Sequence, residues 1–128
     1  MDEFTIHIPR ERSFSAVADL VVGGIAARHD VTLDVLDDLQ LALGSLLEHD
    51  GADEREVGIV LRFAGDTIEA AVGPLAQSTA AALEEEAGEG IGLRRLLETT
   101  MDSVALCERD GGSWVELRKG YALAGTET

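Results

Sequence analysis

At 128 residues the chain is long enough for one core and too short for two, and with 45 % hydrophobic but only 4 % aromatic residues that core must be mostly Leu, Val, Ile and Ala. A formal charge of −15 argues against nonspecific binding to DNA, RNA or an anionic membrane, where like charges repel, and favours a basic protein partner. The lone Cys107 has no intramolecular disulfide partner, the start Met1-Asp2-Glu3-Phe4 is acidic, and the longest apolar stretch is broken by Asp19 and Gly23-Gly24, so a cytoplasmic protein without a membrane span is expected.

Residues 3–9 alternate Phe4, Ile6 and Ile8 with Thr5 and His7, the pattern of a half-buried strand that Pro9 ends. Ser13 is a good N-cap and predicts a helix over 14–28. Its apolar positions Val17, Leu20, Val21, Ile25 and Ala26 fall at helical spacing and are expected to pack on a sheet. Thr32 caps a second helix over 33–48, with Asp34 and Asp37 in the first turns, where the helix dipole favours acids. Val35, Leu36, Leu39, Leu43, Leu46 and Leu47 form one broad stripe along it.

Val57, Ile59, Leu61 and Phe63 then alternate with Gly58, Val60 and Arg62 in a strand, and Ala64-Gly65-Asp66 turns it into another over 67–72. Gly73-Pro74 stops that strand. Residues 75–87 are small and acidic, expected to be helical over 80–86 and mobile, with Glu84-Glu85-Glu86 as a solvated face.

Gly88, Gly90 and Gly92 remove side chains at alternate positions just where a helix over 91–101 begins. The free N–H groups of such a first turn suit a phosphate, although glycines before a helix are also ordinary loop punctuation. Arg94 and Arg95 follow, either as phosphate contacts or as a solvated helix face. Two closing strands over 103–108 and 114–119 are joined by Asp110-Gly111-Gly112, with Cys107 expected as a small core residue and Trp114 as core or interface packing. His7, His29 and His49 show no ligand spacing, which predicts no metal site, and nothing selects a Ser-His-Asp set. The order predicts one domain over 1–121 with a flexible tail over 122–128. Its fold class is an α/β two-layer sandwich, a mixed, mostly antiparallel sheet covered on one face by helices.

Three stretches resemble the anti-sigma factor and serine-protein kinase family of RsbW and SpoIIAB, within the ATP-binding fold shared by histidine kinases, gyrase and a class of heat-shock chaperones. They are Leu36-Asp37-Asp38-Leu39-Gln40-Leu41-Ala42-Leu43, Gly90-Ile91-Gly92-Leu93 with Leu97-Glu98-Thr99-Thr100-Met101-Asp102-Ser103-Val104, and Gly112-Ser113-Trp114-Val115. The resemblance runs from Phe4 to Tyr121. It implies a histidine-kinase-type ATPase fold, a homodimer, and a phosphate end of a nucleotide site at Gly90, Gly92, Leu93 and Ser113.

The chain departs from the family at the residues of chemistry. Where the family has a glutamate base and, four residues on, an asparagine that holds Mg²⁺, this sequence has Ser45 and His49. Ser45 is no carboxylate base, and His49 is a poor ligand for a hard, oxygen-seeking ion. Glu48 is next to His49 and points about 100° away around the helix. The aspartate that accepts from the adenine amino group falls on or near Pro74, and losing a charged hydrogen bond there costs roughly 1.5–3 kcal/mol. The stretch between Pro74 and Gly88, where the family has a phosphate lid, is short.

Two functions follow. One is a regulatory protein that binds a sigma factor or an anti-sigma antagonist without catalysis, docking a basic partner on the first two helices beside Asp34, Asp37 and Asp38, with no cofactor in a degenerate pocket. The alternative is an ATP- and Mg²⁺-dependent serine-protein kinase acting on an antagonist protein. The first needs only a surface.

Overall fold

The computed structural model describes residues 2–9, 15–29, 31–50, 56–84, 93–109 and 111–120. In chain order these form β1 (Asp2–Pro9), α1 (Ser15–Ala27), α2 (Leu33–Asp50), β2 (Glu56–Ala64), β3 (Thr67–Gly73), α3 (Gln77–Glu84), α4 (Leu93–Thr100), β4 (Ser103–Arg109) and β5 (Gly112–Gly120). Ser13 lies outside the described residues, as do Gly88, Gly90, Gly92, Glu85, Glu86 and the tail over 122–128.

The strands make one sheet in the order β1-β2-β3-β5-β4. Every described pairing is antiparallel, so the sheet is purely antiparallel where a mixed one was allowed for. The reason lies in the connections. An even pair of helices returns the chain from β1 to β2 in the opposite direction, and the tight turn at Gly65, φ 63°, does the same between β2 and β3. β5 inserts between β3 and β4, so those two strands run the same way without touching.

The sheet has two unlike faces. Ile8, Val57, Ile59, Leu61, Phe63, Ile68, Val72, Val115 and Leu117 point to the helices and close one core with Ala18, Val22, Leu39, Leu43, Leu46, Leu83 and Leu97. The stripe predicted for α2 is the one that packs, with Leu39, Leu43 and Leu46 buried and Val35, Leu36 and Leu47 half-buried against the core. Thr32 is placed as its cap, with Val35 N–H donating to Thr32 Oγ1 at 3.4 Å.

The expected face of α1 is corrected. The residues it buries are Ala18, Val22 and Ala26, with Ile25 half-buried, whereas Val17, Leu20 and Val21 are exposed by 43, 76 and 37 %. The cause is close packing: α1 crosses α2 where Gln40 Nε2 donates to the Asp19 carbonyl at 3.0 Å, and a Cβ on Gly23 would stand 3.3 Å from that same nitrogen. Small residues let the backbones approach, so the small stripe goes inward and the large one outward.

Two further expectations change. α3 starts at Gln77 instead of residue 80, and Thr79, Ala80 and Leu83 are buried, so this segment is packed and not loose. Cys107 is not in the core: its register partner is Trp114, on the face turned away from the helices, where it is half-buried.

Candidate functional site

The turn from β3 into α3 is held by the start of β5. Leu75 N–H donates to the Ser113 carbonyl at 2.7 Å, and a Cβ on Gly112 would stand 2.8 Å from Pro74 Cβ. Ser113 and Pro74, one expected at the phosphate end and the other at the adenine end, are thereby brought side by side. Pro74 is half-buried and follows a cis peptide bond. It offers no side-chain acceptor there.

Leu93 opens α4 and is half-buried against the core. Ser45 sits half-buried in α2, within the helix layer, and carries no carboxylate. The side chains of Glu48 and His49 lie outside the described set, as do Gly90 and Gly92. The stretch expected as a lid begins with Leu75 and α3, which put Leu75, Ala80 and Leu83 into the interior. A closing lid needs a segment of low local stability, and these ten residues are not one. Arg94 is engaged by protein: its Nε meets Glu98 Oε2 at 3.1 Å and its Nη1 donates to the Leu83 carbonyl at 2.8 Å, tying α4 to α3. Arg95 is exposed.

The surface named for partner docking is better formed. Val17, Leu20 and Val21 of α1 stand out from the molecule, beside Gly24, around which a Cβ would meet nothing within 4 Å. Across the Gln40–Asp19 contact, Leu33, Asp37 and Leu41 run along the outside of α2 at four-residue spacing, with Leu33 and Leu41 71 and 52 % exposed. Asp34 and Asp37 are exposed beside them. Asp38 is not free for a partner, because Lys119 Nζ lies 3.0 Å from its Oδ2 while donating to the Thr100 carbonyl at the end of α4. Burial at this helix crossing raises the Asp19 carboxyl above its ordinary value.

The opposite face of the sheet carries a second constellation that composition and motif reading did not find. Trp114 lies across its neighbours: a Cβ on Gly73 would fall 2.5 Å from the indole, and one on Gly58 would fall 3.3 Å from both the indole and His7. The glycines form a trough for the ring, which is only 9 % exposed, with the Arg109 guanidinium 5.2 Å from the ring centroid. The signal was in the sequence, since glycine inside a strand marks close approach of another group. His29 belongs elsewhere, stacked on Phe63 at 4.0 Å and edge-on to Phe4. Among the described residues no three His, Cys, Asp or Glu side chains converge as a metal set, and no helix is long and apolar enough to cross a membrane.

No family model matches the chain, and no curated protein matches it.

Proposed function

We propose that the chain is a regulatory, protein-binding domain of the anti-sigma-factor-like kind, with a histidine-kinase-type ATPase fold whose nucleotide pocket has lost its chemistry. The observation that carries this reading is the outward face of α1 and α2, where Val17, Leu20, Val21, Leu33 and Leu41 are left in solvent beside Asp34 and Asp37. Apolar residues clustered on an otherwise acidic molecule mark a contact surface, and acids at its border suit a basic, amphipathic partner such as a helix of a sigma factor or of its antagonist. The loss of the base position to Ser45 and of the adenine acceptor to Pro74 supports binding without phosphoryl transfer.

The test has two parts. A purified sigma factor and an antagonist protein titrated into the chain should bind, and Leu20→Asp should abolish binding while leaving the thermal melt in place. Calorimetric titration with ATP or ADP and Mg²⁺ should give no heat. Micromolar nucleotide binding would overturn the degenerate pocket and restore the kinase reading. A partner interaction indifferent to Leu20→Asp would remove the helix face from the function.

A further inference from the structure

The sheet face turned away from the helices has no part in the function proposed above, and its charges are unevenly matched. Glu3 of β1, Arg62 of β2, Glu69 of β3 and Arg118 of β5 form a ladder across four neighbouring strands. Its ion pairs run without a gap: Arg62–Glu3 at 2.8 Å, Arg62–Glu69 at 3.6 Å and Arg118–Glu69 at 2.7 Å. Arg109, at the end of β4, is the exception. Arg62, Arg94 and Arg109 are all half-buried, and the first two meet carboxylates, at Glu3 and Glu98. The Arg109 guanidinium stands 5.2 Å from the Trp114 ring centroid, and among the described residues nothing accepts from its N–H groups.

A contact with an aromatic ring uses the charge of a guanidinium and leaves its donors for an acceptor. Leaving those donors unmet in a half-buried position costs free energy that an anion from outside would recover. This holds in a chain with 25 acidic residues to choose from. The space for a ligand is there. A cavity of about 200 Å³ opens on this face, lined by Arg109 and by Val60, Ala71, Glu116 and Ala105. Those last four stand in one row across β2, β3, β5 and β4, between the ladder and the row in which Trp114 fills its glycine trough. The volume is below the roughly 300–1,000 Å³ of sites that take drug-sized molecules, so a small metabolite fits and a nucleotide does not.

We propose that this cavity binds a free α-amino acid with an apolar side chain. Its carboxylate lies on Arg109, its ammonium on Glu116, and its side chain on Val60, Ala71 and Ala105. The planar fork of an arginine matches a carboxylate in two parallel bonds. Glu116 lies beside the Cys107 thiol and closes no ion pair among the described residues, so it is open to an ammonium. Arg109 and Glu116 thus offer one charge of each sign over an apolar floor, the complement of a zwitterion. Phosphate fits worse, because Glu69 and Glu116 line the same space and repel a second negative charge. A fatty carboxylate leaves Glu116 unmet, and an alkylamine leaves Arg109 unmet.

The test is a titration of the full chain with L-leucine, read by calorimetry and by the fluorescence of Trp114, the only tryptophan, whose ring carries the Arg109 contact. Saturable binding with a Kd at or below about 1 mM is expected. 4-Methylpentanoate, which lacks the ammonium, should bind about two- to fivefold more weakly, as suits an exposed pair. Arg109→Gln should weaken leucine at least about tenfold. Glu116→Gln should remove the preference for leucine over 4-methylpentanoate while both still bind. Inorganic phosphate should leave the fluorescence unchanged. If Arg109→Gln loses its far-UV circular dichroism, Ala105→Leu, which fills the floor and keeps both charges, takes its place and should abolish binding. No saturable signal at about 10 mM leucine, ten times such a Kd, overturns the proposal. So does a leucine affinity indifferent to Arg109→Gln or to Ala105→Leu, a preference that survives Glu116→Gln, or binding of phosphate.

Discussion

Gly73 and Trp114 are two halves of one packing decision. The indole occupies the volume that any side chain at residue 73 would need, with contacts at 2.5 Å. Gly73→Ala should cost about 1–3 kcal/mol by overpacking. Trp114→Leu should relieve most of that cost, so a double-mutant cycle read by urea denaturation should show strong non-additivity, and additive losses would mean that the ring does not fill the trough. Cys107, on the same face, has its thiol pushed up by burial first and by the nearby Glu116 second. The fold thus prefers the protonated thiol. Its contribution is intact below the unfolded value and lost as pH rises through the higher folded one, so it bears on the alkaline limb alone. Wild-type stability should fall more steeply than that of Cys107→Ala above about pH 9, and alkylation of the native thiol at pH 8 should be slower than that of the urea-unfolded chain.

At the scale of an element, α1 is where sequence periodicity and structure part company. Periodicity sends Val17, Leu20, Val21, Ile25 and Ala26 inward, and of these Ala26 is buried and Ile25 half-buried against the core. Val17, Leu20 and Val21 stay exposed, and Ala18 and Val22 complete the buried stripe with Ala26, chosen by how near α2 comes. Ala18→Asp should therefore unfold the domain, at a cost above about 4 kcal/mol, because it buries a charge without a partner. Leu20→Asp should change stability by less than about 0.5 kcal/mol. Thermal melts of the two decide the register of the helix. α2 and the strands were legible because their apolar positions follow a single period to a single face, as Leu39, Leu43 and Leu46 do in the helix and Val57, Ile59, Leu61 and Phe63 do in β2. The start of α3 was not, because small residues such as Ala80 and Ala81 carry little directional signal until a neighbour packs on them. For the candidate site, sequence placed Ser113 at the phosphate end and Pro74 at the adenine end through resemblance only, and did not foresee that the two lie side by side. It missed the trough under Trp114: Gly58 inside a strand signals the close approach of another group, but that the group is this indole depends on strands β2, β3 and β5 being neighbours, a matter of topology.

For the molecule as a whole, a net charge of −15 on 128 residues is a standing repulsion that the core must outweigh. The melting temperature should rise between low salt and about 0.5 M NaCl, because screening relieves the repulsion more than it weakens the exposed ion pairs, which are worth about 0–1 kcal/mol each. A melting temperature that falls with salt would mean that the ladder from Glu3 to Arg118 outweighs the net charge. Strand order adds a constraint of another kind, one of timing. β5 leaves the ribosome after every other strand described, yet its place is inside the sheet, between β3 and β4. Until it arrives, β3 has a bare hydrogen-bonding edge and β4 has no partner, so the nascent chain carries an adhesive margin from the completion of β3 at Gly73 until β5 begins at Gly112. A ribosome stalled before Gly112 would hold an incomplete sheet open to any other strand, and a chaperone that covers β3 during that interval would matter more to yield than the final stability of the fold.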